Sequence, residues 1–78
     1  MVESLALDLL PAGHSAYVID IQNEPAMRRR LADLGLIGGT KITCLYRSPA
    51  GDPTAYSFRG AIIALRRKDA ARIRVSSA

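Results

Sequence analysis

Groups that carry covalent or metal chemistry are scarce in this chain of 78 residues. It has no tryptophan, one cysteine, Cys44, and one histidine, His14. A single cysteine excludes a disulfide within the chain, and His14 lies in a predicted turn where no motif of nucleophilic catalysis is found. Zinc and iron sites need several ligands at close spacing, but these two residues are 30 positions apart. The sequence therefore predicts no catalytic centre, no metal site and no cofactor.

Long apolar segments are also missing. The longest uninterrupted apolar run is the five residues Ala61–Leu65, far below the roughly 20 residues that a membrane-spanning helix needs. Near the amino terminus, Glu3 and Asp8 place negative charge where an export signal carries positive charge. We therefore expect a soluble, cytoplasmic protein that reaches a membrane only through a partner.

Two other ligand-binding patterns are incomplete. The glycine-rich segment Gly35–Lys41 lacks the order of a phosphate-binding loop. Its Gly-x-x-Gly portion matches one RNA-binding module, but that module joins two helices and here a strand is predicted to follow. Asp52 lies in a proline-bounded turn without a second carboxylate nearby for acid–base catalysis. The sequence thus favours a binding function over an enzymatic one.

The composition is that of one small globular domain over residues 1–78. The chain is 49% hydrophobic but only 5% aromatic, so we expect a core of Leu, Ile, Val and Ala around Tyr17, Tyr46, Tyr56 and Phe58. The net charge of +4 is concentrated in two basic clusters, at 28–30 and 66–68. Basic clusters favour acidic partners, although such runs often lie on solvated faces.

Alternating apolar residues and turn signals predict mostly β structure. One amphipathic helix starts at Pro25 after the capping residue Asn23 and buries Met27, Leu31 and Leu34. Gly35 fits the left-handed position that ends a helix, with Leu36 folding back on Leu31. A short helical turn is expected at 68–71, and five strands are expected at about 15–21, 40–47, 54–59, 61–65 and 72–75.

Five short strands and one helix cannot form a stable flat sheet at this length, because two edges would stay exposed and too little apolar surface would be covered. Curling into a small barrel solves both problems. The helix between the first and second predicted strands then closes one end of the barrel. The predicted fold class is therefore all-β, a five-stranded barrel with one short helix.

In order and spacing, several segments together resemble the ferrous-iron transport protein A family, FeoA. The resemblance covers nearly the whole chain and implies an SH3-like barrel, in agreement with the fold predicted from the strand pattern. The segments that carry it are Leu10–Gly13, Tyr17–Ile19, Arg30–Leu36, Gly39-Thr40, Pro49, Gly51–Pro53, Gly60, Ile63–Arg66, Ala70 and Ile73.

The resemblance implies a function as well as a fold. FeoA-like proteins are small cytoplasmic accessories of bacterial ferrous iron uptake that act on FeoB, a membrane transporter with a cytoplasmic GTPase domain. The expected partner of this chain is accordingly a FeoB-like transporter, and self-association stays open. Without chemistry of its own, the domain would act by protein–protein contact through loops set on rigid strands. The candidate contact residues are Arg29, Leu36, Ile37, Gly38, Gly39, Asp52 and Pro53.

Two alternatives stay open on the sequence. The chain resembles the SH3-like end domain of iron-dependent repressors, and it could be a regulatory accessory of that kind. It could also be a basic small barrel that binds RNA through Arg66–Lys68 and aromatic residues on nearby strands. Nucleic acid is not the favoured partner.

Overall fold

Six antiparallel strands form one sheet in the described chain, residues 4–76 of a computed structural model. The predicted single domain 1–78 extends past these by residues 1–3 and 77–78, which lie outside the described residues. In chain order, the elements are β1 (Ser4–Ala6), a 3-10 turn (Leu7–Leu9), β2 (Ser15–Ile21), α1 (Pro25–Asp33), β3 (Lys41–Arg47), β4 (Thr54–Phe58), β5 (Ala61–Leu65), α2 (Arg67–Ala70) and β6 (Ile73–Ser76).

The strands follow the order β1-β6-β2-β3-β4-β5, with every neighbouring pair antiparallel. β1 is a sixth strand that the sequence pattern does not indicate; the five-strand prediction is corrected here. Its pairing places Leu5 opposite Val75, so the strand depends on a contact between the two ends of the chain rather than on a local signal. None of the helices in residues 4–76 is long and apolar enough to cross a membrane.

The inward sides of the strands share one apolar core with α1, α2 and the 3-10 turn. Tyr56 is its largest fully buried side chain. Its buried members are Leu7, Leu10, Ala16, Val18, Leu31, Leu36, Ile42, Cys44, Tyr56, Phe58, Leu65, Ala70, Ile73 and Val75.

Tyr46 does not lie in this core, although its alternation with Ile42 and Cys44 predicts a common face. The pairing of β3 with β4 shifts register between Cys44 and Tyr46, and a bulge of this kind inserts one residue and reverses which side the following residue faces. Tyr46 is consequently 62% exposed. Tyr17 is also exposed on the outer side of β2, because its neighbours Ala16 and Val18 are the residues that point inward.

Helix α1 begins at a proline and ends just before a glycine, as the sequence predicts. Pro25 occupies the first turn, and Gly35 adopts φ +98°. The amide of Gly35 donates to the carbonyl of Ala32 at 2.9 Å, and the amide of Leu36 donates to that of Leu31 at 2.9 Å. This pair of bonds is the Schellman arrangement, and it confirms the predicted helix end.

Two details of the predicted helix are wrong. Leu34 is exposed rather than buried, because the chain reverses at Gly35 and Leu36 enters the core beside Leu31 instead. Asn23 is not the capping residue, since Glu24 precedes the first helical residue and makes no side-chain cap bond. The side-chain nitrogen of Asn23, Nδ2, instead donates to the backbone carbonyl of Asp69 at 2.9 Å and links the start of α1 to α2.

Candidate functional site

A surface groove of about 580 Å³ runs between β2 and α1. It combines an apolar floor with a basic rim, and its edges carry Ile19 and Ile37, each 48% exposed. The residues that line it are Ile19, Asp20, Ile21, Pro25, Arg28, Arg29, Ala32, Leu36, Ile37 and Gly38.

The alternation of β2 places Ile19 at this groove, and the strand is irregular at this residue. The pairing of β2 with β6 shifts register between Val18 and Asp20, so Ile19 is the extra residue of a bulge. Val18 points into the core on one side of the bulge, and the side chain of Ile19 lies on the surface. Ile19 would be exposed without the bulge, since Ala16 and Val18 already face the core. The bulge instead changes the facing of Ile21, which packs against the core although strict alternation would put it on the same face as Ile19.

The loop after α1 supplies the opposite wall, and hydrogen bonds fix its shape. The Thr40 hydroxyl donates to the carbonyl of Gly35 and accepts from the amide of Ile37, both at 3.2 Å. The amide of Gly39 donates to the carbonyl of Val18 at 2.7 Å, and the Val18 amide donates to Thr40 at 2.9 Å. A loop held in this way presents Ile37 at little further ordering cost.

Four of the predicted contact residues meet at this groove, and they differ in accessibility. Arg29, Ile37 and Gly38 lie on its surface. Leu36 is fully buried, so its side chain belongs to the core and its prediction as a partner contact is corrected. Gly39 follows directly and is exposed, with φ +89°.

Asp52 and Pro53 lie outside the lining of this groove, in the loop between β3 and β4. Asp52 Oδ1 accepts a hydrogen bond from the backbone amide of Arg67 at 2.8 Å. It thereby caps α2 across 15 sequence positions, a structural task like the one expected of an aspartate in a turn. Both residues are exposed, so their prediction as contacts is left open.

The three consecutive arginines of α1 divide between two sides of the helix. Arg28 and Arg29 line the groove against β2, whereas Arg30 lines a separate pocket toward α2. A turn of about 100° per residue separates neighbours on a helix, so one basic run serves two surfaces. Asp20 is the one carboxylate among the residues that line the groove. The groove is therefore basic overall, because Arg28 and Arg29 outweigh it.

Reactive groups are kept away from the groove. Within residues 4–76 no three His, Cys, Asp or Glu side chains are grouped so that they could hold a metal ion. Cys44 is buried in the core, and this burial raises the pKa of its thiol. Burial likewise raises the pKa of Tyr56 to about 12. The groove therefore offers apolar contact and positive charge, which suit the recognition of a protein surface.

None of the contact residues predicted from the sequence lies on β2, although this strand forms one wall of the groove. Ile19 and Asp20 carry no motif, and the bulge at Ile19 depends on pairing with β6, more than 50 positions away. The one available signal was an apolar residue next to an aspartate in an otherwise alternating strand.

A family model of the FeoA domain matches residues 5–77 of the chain. This chain belongs to the FeoA family. It is 31% identical over 71 residues to the Fe(2+) transport protein A/Fe(2+) transporter FeoB fusion protein of Porphyromonas gingivalis, a match that covers 91% of the chain but only 8% of that protein's length. The chain therefore spans a small part of the curated relative it matches.

Solved structures of other FeoA proteins share the fold. The FeoA protein of Chlorobium tepidum is 40% identical, with a TM-score of 0.89 over 95% of this chain and 71% of that one. FeoA of Stenotrophomonas maltophilia, solved in complex with zinc and described as a prokaryotic SH3 domain protein, is 30% identical, with a TM-score of 0.78 over 96% of this chain and 88% of that one. These matches confirm the predicted FeoA-type, SH3-like barrel.

The two alternative functions, a repressor-type accessory and an RNA-binding barrel, receive different support from the structure. A manganese-dependent transcriptional repressor matches with a TM-score of 0.87 at 22% identity, which establishes a common fold and nothing further. The RNA hypothesis needs aromatic rings on the strands near Arg66–Lys68, but Tyr56 and Phe58 on β4 are buried. Those two rings are unavailable for stacking on bases.

Proposed function

We propose that this FeoA-family chain is an accessory of bacterial ferrous iron uptake that binds the cytoplasmic GTPase domain of a FeoB-like transporter. The observation that carries the proposal is the fusion relative, in which a region similar to this chain is joined to FeoB in one polypeptide. Fusion keeps two domains at a high effective concentration. A separate chain with the same role must supply the binding energy from its own surface.

The groove between β2 and α1 is the surface that fits this requirement. Its exposed apolar residues are Ile19, on the strand, and Ile37, on the fixed loop, and Arg29 lies beside them. Protein interfaces commonly combine an apolar centre with a polar rim in which arginine is enriched. The partner surface we expect is apolar with acidic residues around it.

The action is exerted by binding. The groove holds no group suited to bond-making chemistry, and the chain would change the conformation or assembly of the GTPase domain by occupying it. On this proposal the protein works in the cytoplasm, reaches the membrane only through the transporter, and acts without catalysing a reaction.

A deletion and complementation experiment tests the function. Removing the gene in its native host should lower ferrous iron uptake, and the affinity-tagged chain should co-purify with the detergent-solubilised transporter. Complementation with Ile37→Glu should fail to restore uptake, because a buried charge would disrupt the apolar centre of the interface.

A matched control separates binding from folding. Leu9 is exposed on the 3-10 turn, away from the groove, so Leu9→Glu adds the same charge and should restore uptake fully. Unchanged uptake, transporter assembly and GTPase activity after deletion would overturn the proposed function.

A further inference from the structure

A second cleft lies on the other side of α1 from the docking groove, which is the groove between β2 and α1. Its larger part, about 420 Å³, lies between α1 and α2. A smaller gap of about 230 Å³ separates α1 from the end of β5. The two spaces adjoin, since Met27, Arg30 and Asp69 line both, and together they are treated as one cleft.

One wall of the cleft is an open strand edge. β5 is last in the strand order, and β4 is its one strand neighbour within residues 4–76. The two-residue turn at Arg59 and Gly60, both with positive φ, is the tight hairpin type that makes Phe58 and Ala61 a hydrogen-bonded pair. Hydrogen-bonded and non-bonded pairs then alternate along the ladder.

This alternation determines which backbone groups are free. Ile62 and Ala64 stand at the non-bonded pairs, opposite Ser57 and Ala55, so their amides and carbonyls point away from β4. Ala64 borders the 230 Å³ gap, and Ile62 is 70% exposed. An exposed edge of this kind is a template for another strand.

Contacts at its two ends hold α1 beside this edge. The side chain of Arg59, at the β4–β5 turn, lies over Gly35. At the other end, Asn23 is bonded to Asp69. The helix is thus fixed at both ends, and the cleft lies between these anchors.

Charge selects the kind of segment that fits. Four cationic side chains, Arg30, Arg66, Lys68 and Arg72, surround the cleft. Two carboxylates, Glu24 and Asp69, are also present, so an excess of two positive charges remains. This excess disfavours a second copy of the same basic edge and favours an acidic occupant.

We propose that the cleft between α1, β5 and α2 binds an extended acidic peptide segment. The segment pairs its backbone with Ile62 and Ala64, and its carboxylates lie among the four cationic side chains. This site is separate from the docking groove and does not depend on the identity of the transporter.

Titration of the isotope-labelled full chain with a synthetic peptide tests the proposal. The probe is a capped octapeptide of alternating glutamate and valine, and its control is the same peptide with alternate amides N-methylated. We expect saturable binding with a Kd below about 1 mM, chemical-shift changes confined to residues 61–72 and the Met27–Arg30 side of α1, and slower amide exchange at Ile62 and Ala64. The N-methylated peptide, which lacks the backbone donors along one edge of the strand, should bind at least ~10-fold more weakly.

Variants of the chain separate the contributions of backbone and charge. Ala64→Pro removes an outward amide while leaving the bonds to β4 intact, and a proline is tolerated at such an edge position; it should abolish binding. Arg30→Glu should weaken binding at least ~10-fold. Arg29→Glu, the same change one residue earlier but on the other side of the helix, should leave binding within ~2-fold.

Several results would overturn the proposal. Equal binding of both peptides would remove the strand-pairing step, and shifts centred on the β2–α1 groove would place the peptide elsewhere. The absence of saturable binding would show that the cleft does not bind such a peptide at all. Tighter binding of polyuridylate or of phosphatidylglycerol vesicles at these residues would assign the cleft to nucleic acid or lipid instead.

Discussion

The side chain of Arg59 lies directly over Gly35, so that a Cβ added to Gly35 would stand 2.9 Å from Arg59 Cδ. Gly35 ends α1, and Arg59 occupies the turn between β4 and β5. This contact joins the helix that forms one wall of the docking groove to a hairpin on the far side of the barrel. Glycine is needed here for its φ of +98°, and an added Cβ would in addition displace the exposed Arg59 side chain.

Replacing Gly35 should therefore destabilise the domain by two additive causes. We expect Gly35→Ala to lower the free energy of unfolding by about 1–3 kcal/mol in urea denaturation. Gly60→Ala is the matched control, since Gly60 also has positive φ but no atom lies within 4 Å of an added Cβ. It should cost less than Gly35→Ala. In an Arg59→Ala background, Gly35→Ala should cost only as much as Gly60→Ala; an unchanged cost would refute the steric part.

The Asp52 side chain should act on stability. Asp52→Ala removes the acceptor for the Arg67 amide and should lower the free energy of unfolding by about 1 kcal/mol, the usual effect of losing a helix cap. Asp52→Asn keeps an acceptor oxygen and should recover most of this loss. If Asp52→Ala instead left stability intact and weakened transporter binding, the residue would be a partner contact, as the sequence suggests.

Tyr56 should make the domain sensitive to alkali. Its pKa is raised to about 12 by burial, so the unfolded chain releases the phenol proton near the ordinary value of about 10 while the folded chain keeps it. Stability is fully present below pH ~10 and is lost as pH rises toward ~12, by about 2–3 kcal/mol.

Chemical denaturation at several pH values, with Tyr56→Phe as the comparison, measures this effect. The variant should lose less stability between pH 9 and 12. At pH 7 it should match the wild type or exceed it by up to ~1 kcal/mol, because the buried hydroxyl has no hydrogen-bond partner among the described residues. Identical alkaline slopes for the two proteins would contradict the account.

Cys44 should react only when the chain opens. Its thiol is buried and its pKa is raised by that burial, whereas alkylation requires an exposed thiolate. Iodoacetamide at pH 8 should therefore modify the folded chain more slowly than the urea-unfolded chain, by a factor on the order of 100 or more. Equal rates would show that the core is open around Cys44.

Local signals predicted much of the fold. The end of α1 at Gly35 and the hairpin at Gly60 each depend on a few adjacent residues, and a single sequence is sufficient to identify them. Inward Ile73 and Val75 on β6 also follow from simple alternation, which is uninterrupted there.

Long-range pairing determined the features that the sequence did not reveal. Each bulge reverses the facing of the residues after it, so Tyr46 is exposed and Ile21 packs against the core for reasons that lie in β4 and β6. The sequence predicts both that Leu36 folds back on Leu31 and that it contacts a partner, and the reversal at Gly35 buries it against the core as the first prediction requires. The candidate site was accordingly half predicted: the loop and Arg29 from the sequence, the β2 wall from the structure alone.

The most direct test of the central claim is a calorimetric titration of the purified FeoB-like GTPase domain with this chain and its variants. The account predicts that Ile37→Glu and Arg29→Glu each raise the Kd at least ~10-fold, about 1.4 kcal/mol, while Arg30→Glu and Leu9→Glu stay within ~2-fold of the wild type. Wild-type affinity for both groove variants, or no binding of the wild-type chain, would contradict it.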